Sequence, residues 1–123
     1  MKFHLSLVVV LSLVCFPASS FADLQVRGEG KTQTLVREQF PPKQAAQYDL
    51  FQARCTQCHA MSRPISALQT GITPISRGSF DGDGIKDYVV KMMRKPKSGV
   101  TREDAKEILQ FLQYARDAVK APK

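Results

Sequence analysis

A chain of 123 residues with 18 Lys and Arg against 11 Asp and Glu is basic, formally +7, and holds three Cys, two His and no Trp. That length accommodates one small domain with a modest core of its own. The charge favours acidic partners and salt-dependent encounter, although solubility accounts for it equally well.

Met1-Lys2 supplies a positive charge, Leu5 to Phe16 is an almost unbroken apolar run, and Pro17-Ala18-Ser19-Ser20-Phe21-Ala22 follows. This is the pattern of a secretory signal peptide over residues 1–22, with Ser20 and Ala22 as the small residues before the cut and Asp23 as the mature start. An uncleaved anchor is the weaker reading, because about a dozen apolar residues fall short of the ~20 that a spanning helix needs. Lipid attachment at Cys15 is disfavoured by the bulk of Val14. Cleavage would remove Lys2, His4 and Cys15, leaving 17 basic against 11 acidic residues, a formal +6, with Cys55 and Cys58 as the cysteines and His59 as the single histidine. The expected product is periplasmic or otherwise exported, with no stable membrane span.

Residues 23–40 alternate weakly through Leu24, Val26, Thr32, Thr34 and Val36 around Gly28-Glu29-Gly30. The pattern predicts an extended arm or a small hairpin and carries no residue suggestive of chemistry. Pro41-Pro42 then opens a helix running to Cys55, since proline is tolerated in a first turn, with Ala46, Leu50, Phe51, Ala53 and Tyr48 as its apolar groups.

That helix delivers Cys55-Thr56-Gln57-Cys58-His59, the C-x-x-C-H spacing by which haem is attached covalently to protein. Each thiol can form a thioether with one haem vinyl group, and His59, beside the second thioether, is placed to ligate the iron from below. Three other readings are weaker. A thioredoxin-like pair belongs to a βαβ unit, and no parallel-strand signal surrounds this one. Structural zinc needs four ligands, and no second Cys or His cluster completes the set. A disulfide between these two positions would close too short a loop to stabilise much. A bound haem would also give so small a chain a large apolar surface to bury, so the chain without it is expected to fold poorly.

From His59 to Phe80, Pro64, Gly71, Pro74 and Gly78 predict loops wrapping one edge of the haem, lined by Ile65, Leu68, Ile72 and Ile75. The turn around Pro64 is the candidate to accept a hydrogen bond from the far nitrogen of His59. Asp81-Gly82-Asp83-Gly84 resembles the start of a calcium loop but lacks its later ligands, so Asp81 reads better as the cap of the next helix. That helix is expected over about 84–94, with Ile85, Tyr88, Val89 and Met92 on one face, and is stopped by Lys95-Pro96-Lys97-Ser98-Gly99. A capping-box pattern, Thr101 with Asp104, opens the last helix over about 102–119, whose stripe is Ala105, Ile108, Leu109, Leu112 and Ala115 with Phe111 beside it.

The sixth iron position decides between electron transfer and ligand chemistry. Met61 is two residues past His59 and cannot reach the opposite haem face. Met92 shares its face with Tyr88, Val89 and Ile85, whereas Met93 is turned about 100° away, so the helical phase favours Met92 over Met93. Plain core packing is the blander role for either.

These features together resemble class I monohaem c-type cytochromes, in particular small bacterial periplasmic ones. The resemblance rests on Phe51 before the first cysteine, the Cys55 to His59 motif, Tyr88-Val89-Val90-Lys91-Met92 with Pro96 and Gly99 after it, and Ile108-Leu109-Gln110-Phe111-Leu112. It covers roughly 41–119. It implies an all-α, cytochrome c-like fold of three or more helices wrapped around a covalently attached haem, with residues 41–123 as the domain and 23–40 as an irregular N-terminal arm. It further implies that the first and last helices cross with Phe51 and Phe111 in contact. Gln47 stands where the family often has glycine at that crossing, and without tryptophan a propionate hydrogen bond would fall to a tyrosine such as Tyr88.

The function so implied is that of an exported one-electron carrier with one haem c, bound by Cys55 and Cys58 and ligated by His59 and Met92. It would not be an enzyme, although it could serve a redox enzyme as subunit or partner. Lys91, Arg94, Lys95, Lys97 and Arg102 are the candidate docking surface for an acidic redox partner, and nucleic acid is not an expected one. The alternative is a haem-based sensor or gas-binding domain with an open or labile sixth position. A peroxidase ranks lowest, since the chain offers no distal histidine for acid–base work.

Overall fold

In a computed structural model, residues 23–120 are described; the expected signal peptide, 1–22, lies outside them. The N-terminal segment forms a two-stranded antiparallel ladder, β1 (Val26–Arg27) and β2 (Thr34–Leu35), with Val26 opposite Leu35 and Arg27 opposite Thr34. A 3₁₀ turn over Gly30–Thr32 joins them. Gly28 makes the reversal possible: its φ is +80°, and a Cβ there would approach Thr32 O to 2.6 Å. Gln39 closes the base, its amide nitrogen donating to the carbonyls of Gln25 and Val36 at 2.9 and 2.8 Å while its oxygen accepts from Gln25 N–H at 2.9 Å.

Four helices follow: α1 (Pro42–Cys55), α2 (Ser62–Thr70), α3 (Asp83–Met93) and α4 (Arg102–Lys120). The described residues are thus mostly helical with one small sheet. α1 starts with Pro42 in its first turn, where the missing N–H costs no hydrogen bond. Its buried face is Ala45, Gln47, Tyr48 and Phe51, which corrects the expected grouping: Ala46 and Ala53 are exposed. α4 opens with a reciprocal capping box, Asp104 N–H donating to Thr101 Oγ1 at 3.0 Å and Thr101 N–H to Asp104 Oδ2 at 3.3 Å. An aspartate is long enough here because the reach is only from N3 back to the cap.

α2 corrects the loop expected between His59 and Phe80. Pro64 is its third residue, where a backbone N–H has no intrahelical acceptor in any case, so proline does not break the helix. Gly71, at φ +74°, ends it in a left-handed turn. Ile65 and Leu68 are 1% and 0% exposed; they belong to the core rather than to a loop lining. Beyond Gly71 the chain turns back in a tight hairpin in which Ile72 bridges Ser79.

Asp81 is not the cap of α3. Gly82, at φ +45°, takes the N-cap position without a side-chain bond, and the Asp81 carboxylate instead accepts from Arg116 Nε at 2.9 Å and Lys120 Nζ at 3.2 Å. Arg116 also donates to Leu68 O at 2.9 Å. One guanidinium therefore joins the end of α2, the start of α3 and the last turns of α4.

α4 packs against each of the other three helices, and the core lies along it. Phe111 is its centre: its ring lies 5.1 Å from Phe40, 5.5 Å from Tyr48 and 5.6 Å from Phe51, separations at which tilted and edge-on aromatic pairs attract. Phe51 and Phe111 are both fully buried. Where α1 and α4 meet, Gln47 donates to Glu107 Oε2 at 2.7 Å and to Gln110 Oε1 at 3.0 Å. The hairpin joins this core through Tyr48, whose hydroxyl accepts from Leu35 N–H at 3.0 Å and donates to Leu35 O at 3.1 Å. Among the described residues no helix is long and apolar enough to cross a membrane.

Candidate functional site

The end of α1 places Cys55 partly buried, and the turn after it leaves Cys58 exposed and His59 half-buried. The two cysteines are not joined by a disulfide. All three side chains border one cavity of about 830 Å³, within the range of about 300–1,000 Å³ typical of cofactor and ligand sites. Further walls come from Arg63 of α2, the hairpin 73–79, α3 through Tyr88, Lys91 and Met92, and the segment after α3 through Lys95 and Val100.

Met92 lines this cavity and Met93 does not; Met93 instead offers its carbonyl to Ser98 Oγ at 2.9 Å. Met61 is 3% exposed, in the core. A pocket of about 10 Å³ lies behind Cys55 and Met92, against Val89, Ile108 and Leu112, at the lower limit for holding a water. The cavity is thus backed directly by the α3–α4 core.

His59 Nδ1 lies 3.1 Å from Ala60 O. With the proton on Nδ1 this is a donated bond to the neighbouring carbonyl, and Nε2 is left as the basic nitrogen, the form a metal-ligating imidazole takes. The acceptor is therefore Ala60, not the turn around Pro64. Pro64 is sealed into the first turn of α2, out of the role assigned to it.

Burial pushes the Cys55 thiol up to about 11. Redox-active dithiols need the opposite, a depressed thiol that supplies thiolate at neutral pH. Tyr88 is pushed up to about 12, first by burial and then by the neighbouring Cys55; it stays a neutral phenol at the cavity wall, edge-on to Phe80 at 5.1 Å. The charged lining is mainly cationic, with Arg54, Arg63, Lys91 and Lys95 against Asp87. Arg54 is engaged by Asp104 at 3.0 Å.

Of the expected lining residues, Ile75 borders the cavity and Ile65, Leu68 and Ile72 do not. Of the expected docking cations, Lys91 and Lys95 border it, while Arg94, Lys97 and Arg102 are exposed but do not. Arg63 and Thr73 are lining residues that the sequence pattern did not single out. Recognising α2 would have brought Arg63 forward, because it sits in that helix's first turn just after the motif. Among the described residues no group of three or more His, Cys, Asp or Glu side chains is arranged to hold a metal ion by itself. Compared with protein-family models, curated proteins and solved structures, the chain matches none.

Proposed function

We propose that this protein is an exported one-electron carrier holding a single haem c. The observation that carries the reading is that Cys55, Cys58, His59 and Met92, singled out by motif and helical phase, border the same cavity. Cys55 and Cys58 would hold the macrocycle by thioether bonds, His59 would be the proximal iron ligand and Met92 the distal one. The resemblance to class I c-type cytochromes supports the same assignment, and would make the helices α1 to α4 a cytochrome c-like wrap around the prosthetic group.

The haem would supply the iron's ferric–ferrous couple. The chain's own contribution is to orient and to insulate. With its proton on Nδ1, His59 donates to Ala60 O at 3.1 Å, a bond that would fix the imidazole and leave Nε2 to ligate. A thioether at the sixth position favours the reduced state relative to a second imidazole. Half-buried Val100 gives the cavity an apolar wall, and Arg63, Lys91 and Lys95 suit the two carboxylates that a haem carries. The same cations, continued by the exposed Arg94, Lys97 and Arg102, would meet an acidic redox partner, with encounter slowing as salt rises.

The test is the absorption spectrum of the mature protein, purified after export with haem available. Covalent haem that survives denaturing electrophoresis, and a low-spin ferric spectrum with the weak far-red sulfur-to-iron band, are expected. The band should be lost in Met92→Ala and kept in Met93→Ala. A high-spin wild type that binds carbon monoxide spontaneously and ignores both substitutions would replace this reading with ligand binding.

A further inference from the structure

The hairpin between α2 and α3 carries the exposed large apolar side chains among the described residues, Ile72 at 39% and Ile75 at 72%. Ile75 and its neighbour Pro74 stand in the cavity lining, so the most exposed isoleucine is also a wall residue. An aliphatic side chain in that position loses apolar surface to any flat apolar group seated beside it, and removes water from that group's edge in return.

The hairpin is hydrogen-bonded within itself. Ile72 bridges Ser79, and Thr73 holds the turn together: its N–H donates to Gly78 O at 2.9 Å, its carbonyl accepts from Arg77 N–H at 2.9 Å, and its Oγ1 accepts from Gly78 N–H at 2.9 Å and shares a hydrogen bond with Ser76 Oγ at 2.6 Å. Thr73 is 9% exposed in a turn whose other residues from 74 to 79 are open to solvent. The base lies against the start of α3, because Gly84 packs so closely on Ser79 that a Cβ there would collide with Ser79 O. Neither Thr73 nor Gly84 has a role in attachment or ligation.

We infer that Ile75 is the solvent cover of the bound group and sets its reduction potential, and that Thr73 is the residue that positions it. The inference rests on the haem reading of the cavity. A hydrophobic shell controls the water and the dielectric around an iron centre, and less water disfavours the more charged ferric state. Taking the apolar cover away should therefore lower the potential with both axial ligands in place.

The experiment is an equilibrium redox titration of the haem-loaded mature protein as wild type, Ile75→Ser, Ile75→Val, Thr73→Val and Thr73→Ser, with the far-red band followed in each. Ile75→Ser should shift the ferric–ferrous equilibrium toward ferric by about tenfold, about 59 mV for one electron, with the band retained. Ile75→Val should stay close to wild type. Thr73→Val should move the potential the same way as Ile75→Ser, and Thr73→Ser, which keeps the hydroxyl, should restore it. Haem attached in Ile75→Ser with an unchanged potential would overturn this inference alone. A wild type that takes up no covalent haem would overturn the haem reading and this inference with it.

Discussion

Where α1 meets α4, four rings from Phe40, Tyr48, Phe51 and Phe111 close on one another at 5.1 to 5.6 Å and each is at most 7% exposed. At the far end of the same α1, Cys55, Cys58 and His59 give onto about 830 Å³ of cavity. One half of the molecule is filled by its own side chains; the other is walled by a hairpin, a cationic helix end and a handful of apolar groups. The lesson is a division of labour within one small domain. The β1–β2, α1 and α4 side is closed by its aromatic rings, whereas on the α3 side Phe80, Ile85 and Val89 are buried behind a cavity whose own walls stay open.

The strongest break of that comparison is to remove the two thiols proposed to attach the haem. Cys55→Ala with Cys58→Ala should abolish covalent haem. By amide hydrogen exchange, residues 72–79 and α3 should lose at least about tenfold in protection while the α1–α4 crossing keeps more of its own, since local stability follows buried contacts. Equal loss across both halves would mean they are not separable units. Next in size is Phe111→Ala, which empties the centre of the ring cluster and should cost about 3–5 kcal/mol in denaturant unfolding of the protein.

Tyr48→Phe tests the seam between hairpin and helix. It strips the buried Leu35 N–H and carbonyl of their partner and should cost about 1–3 kcal/mol. Burial raises the Tyr48 phenol, against the opposing pull of its bond to Leu35. A folded value above the unfolded one means that this stability is complete below about pH 10 and is lost as pH rises through the folded value. Tyr48→Phe should therefore flatten the alkaline limb of the stability curve. The smallest effect belongs to Asp81→Asn. The Arg116 guanidinium, helped by Lys120, holds this carboxyl below the usual range, so the pair stabilises above about pH 4 and fades as pH falls through the lowered folded value. With Asp81 37% exposed, screening should keep the difference from wild type to about 1 kcal/mol or less, vanishing in acid.

Three of the four helices were legible from local signals. Pro42 sits where a helix can begin, the Thr101–Asp104 pair forms a box that its own spacing announces, and the Ile85–Val89 and Ile108–Leu112 spacings repeat at helical period. α2 was hidden because Pro64 reads as a breaker unless its place in the first turn is known. The buried face of α1 was misassigned for a related reason: alanines at 45, 46 and 53 look alike in sequence, and only the packing of the folded chain decides that Ala45 is buried while Ala46 and Ala53 are exposed. Asp81 looked like a cap because caps are local, but its charge is satisfied by Arg116, 35 residues away.

The sequence by itself determined the starts of α1 and α4, the motif that gathers Cys55, Cys58 and His59, and the helical phase that separates Met92 from Met93, because each depends on residues within a turn or two of one another. Only the tertiary structure decided that Met92 borders the same cavity as the motif, that Gln47 makes the α1–α4 contact through Glu107 and Gln110, and that Ile75 rather than Ile65 or Leu68 stands at the cavity wall. Those outcomes depend on how four helices stack. Stacking is settled by which apolar faces bury most area against each other, a property of the whole chain that no short window of it contains.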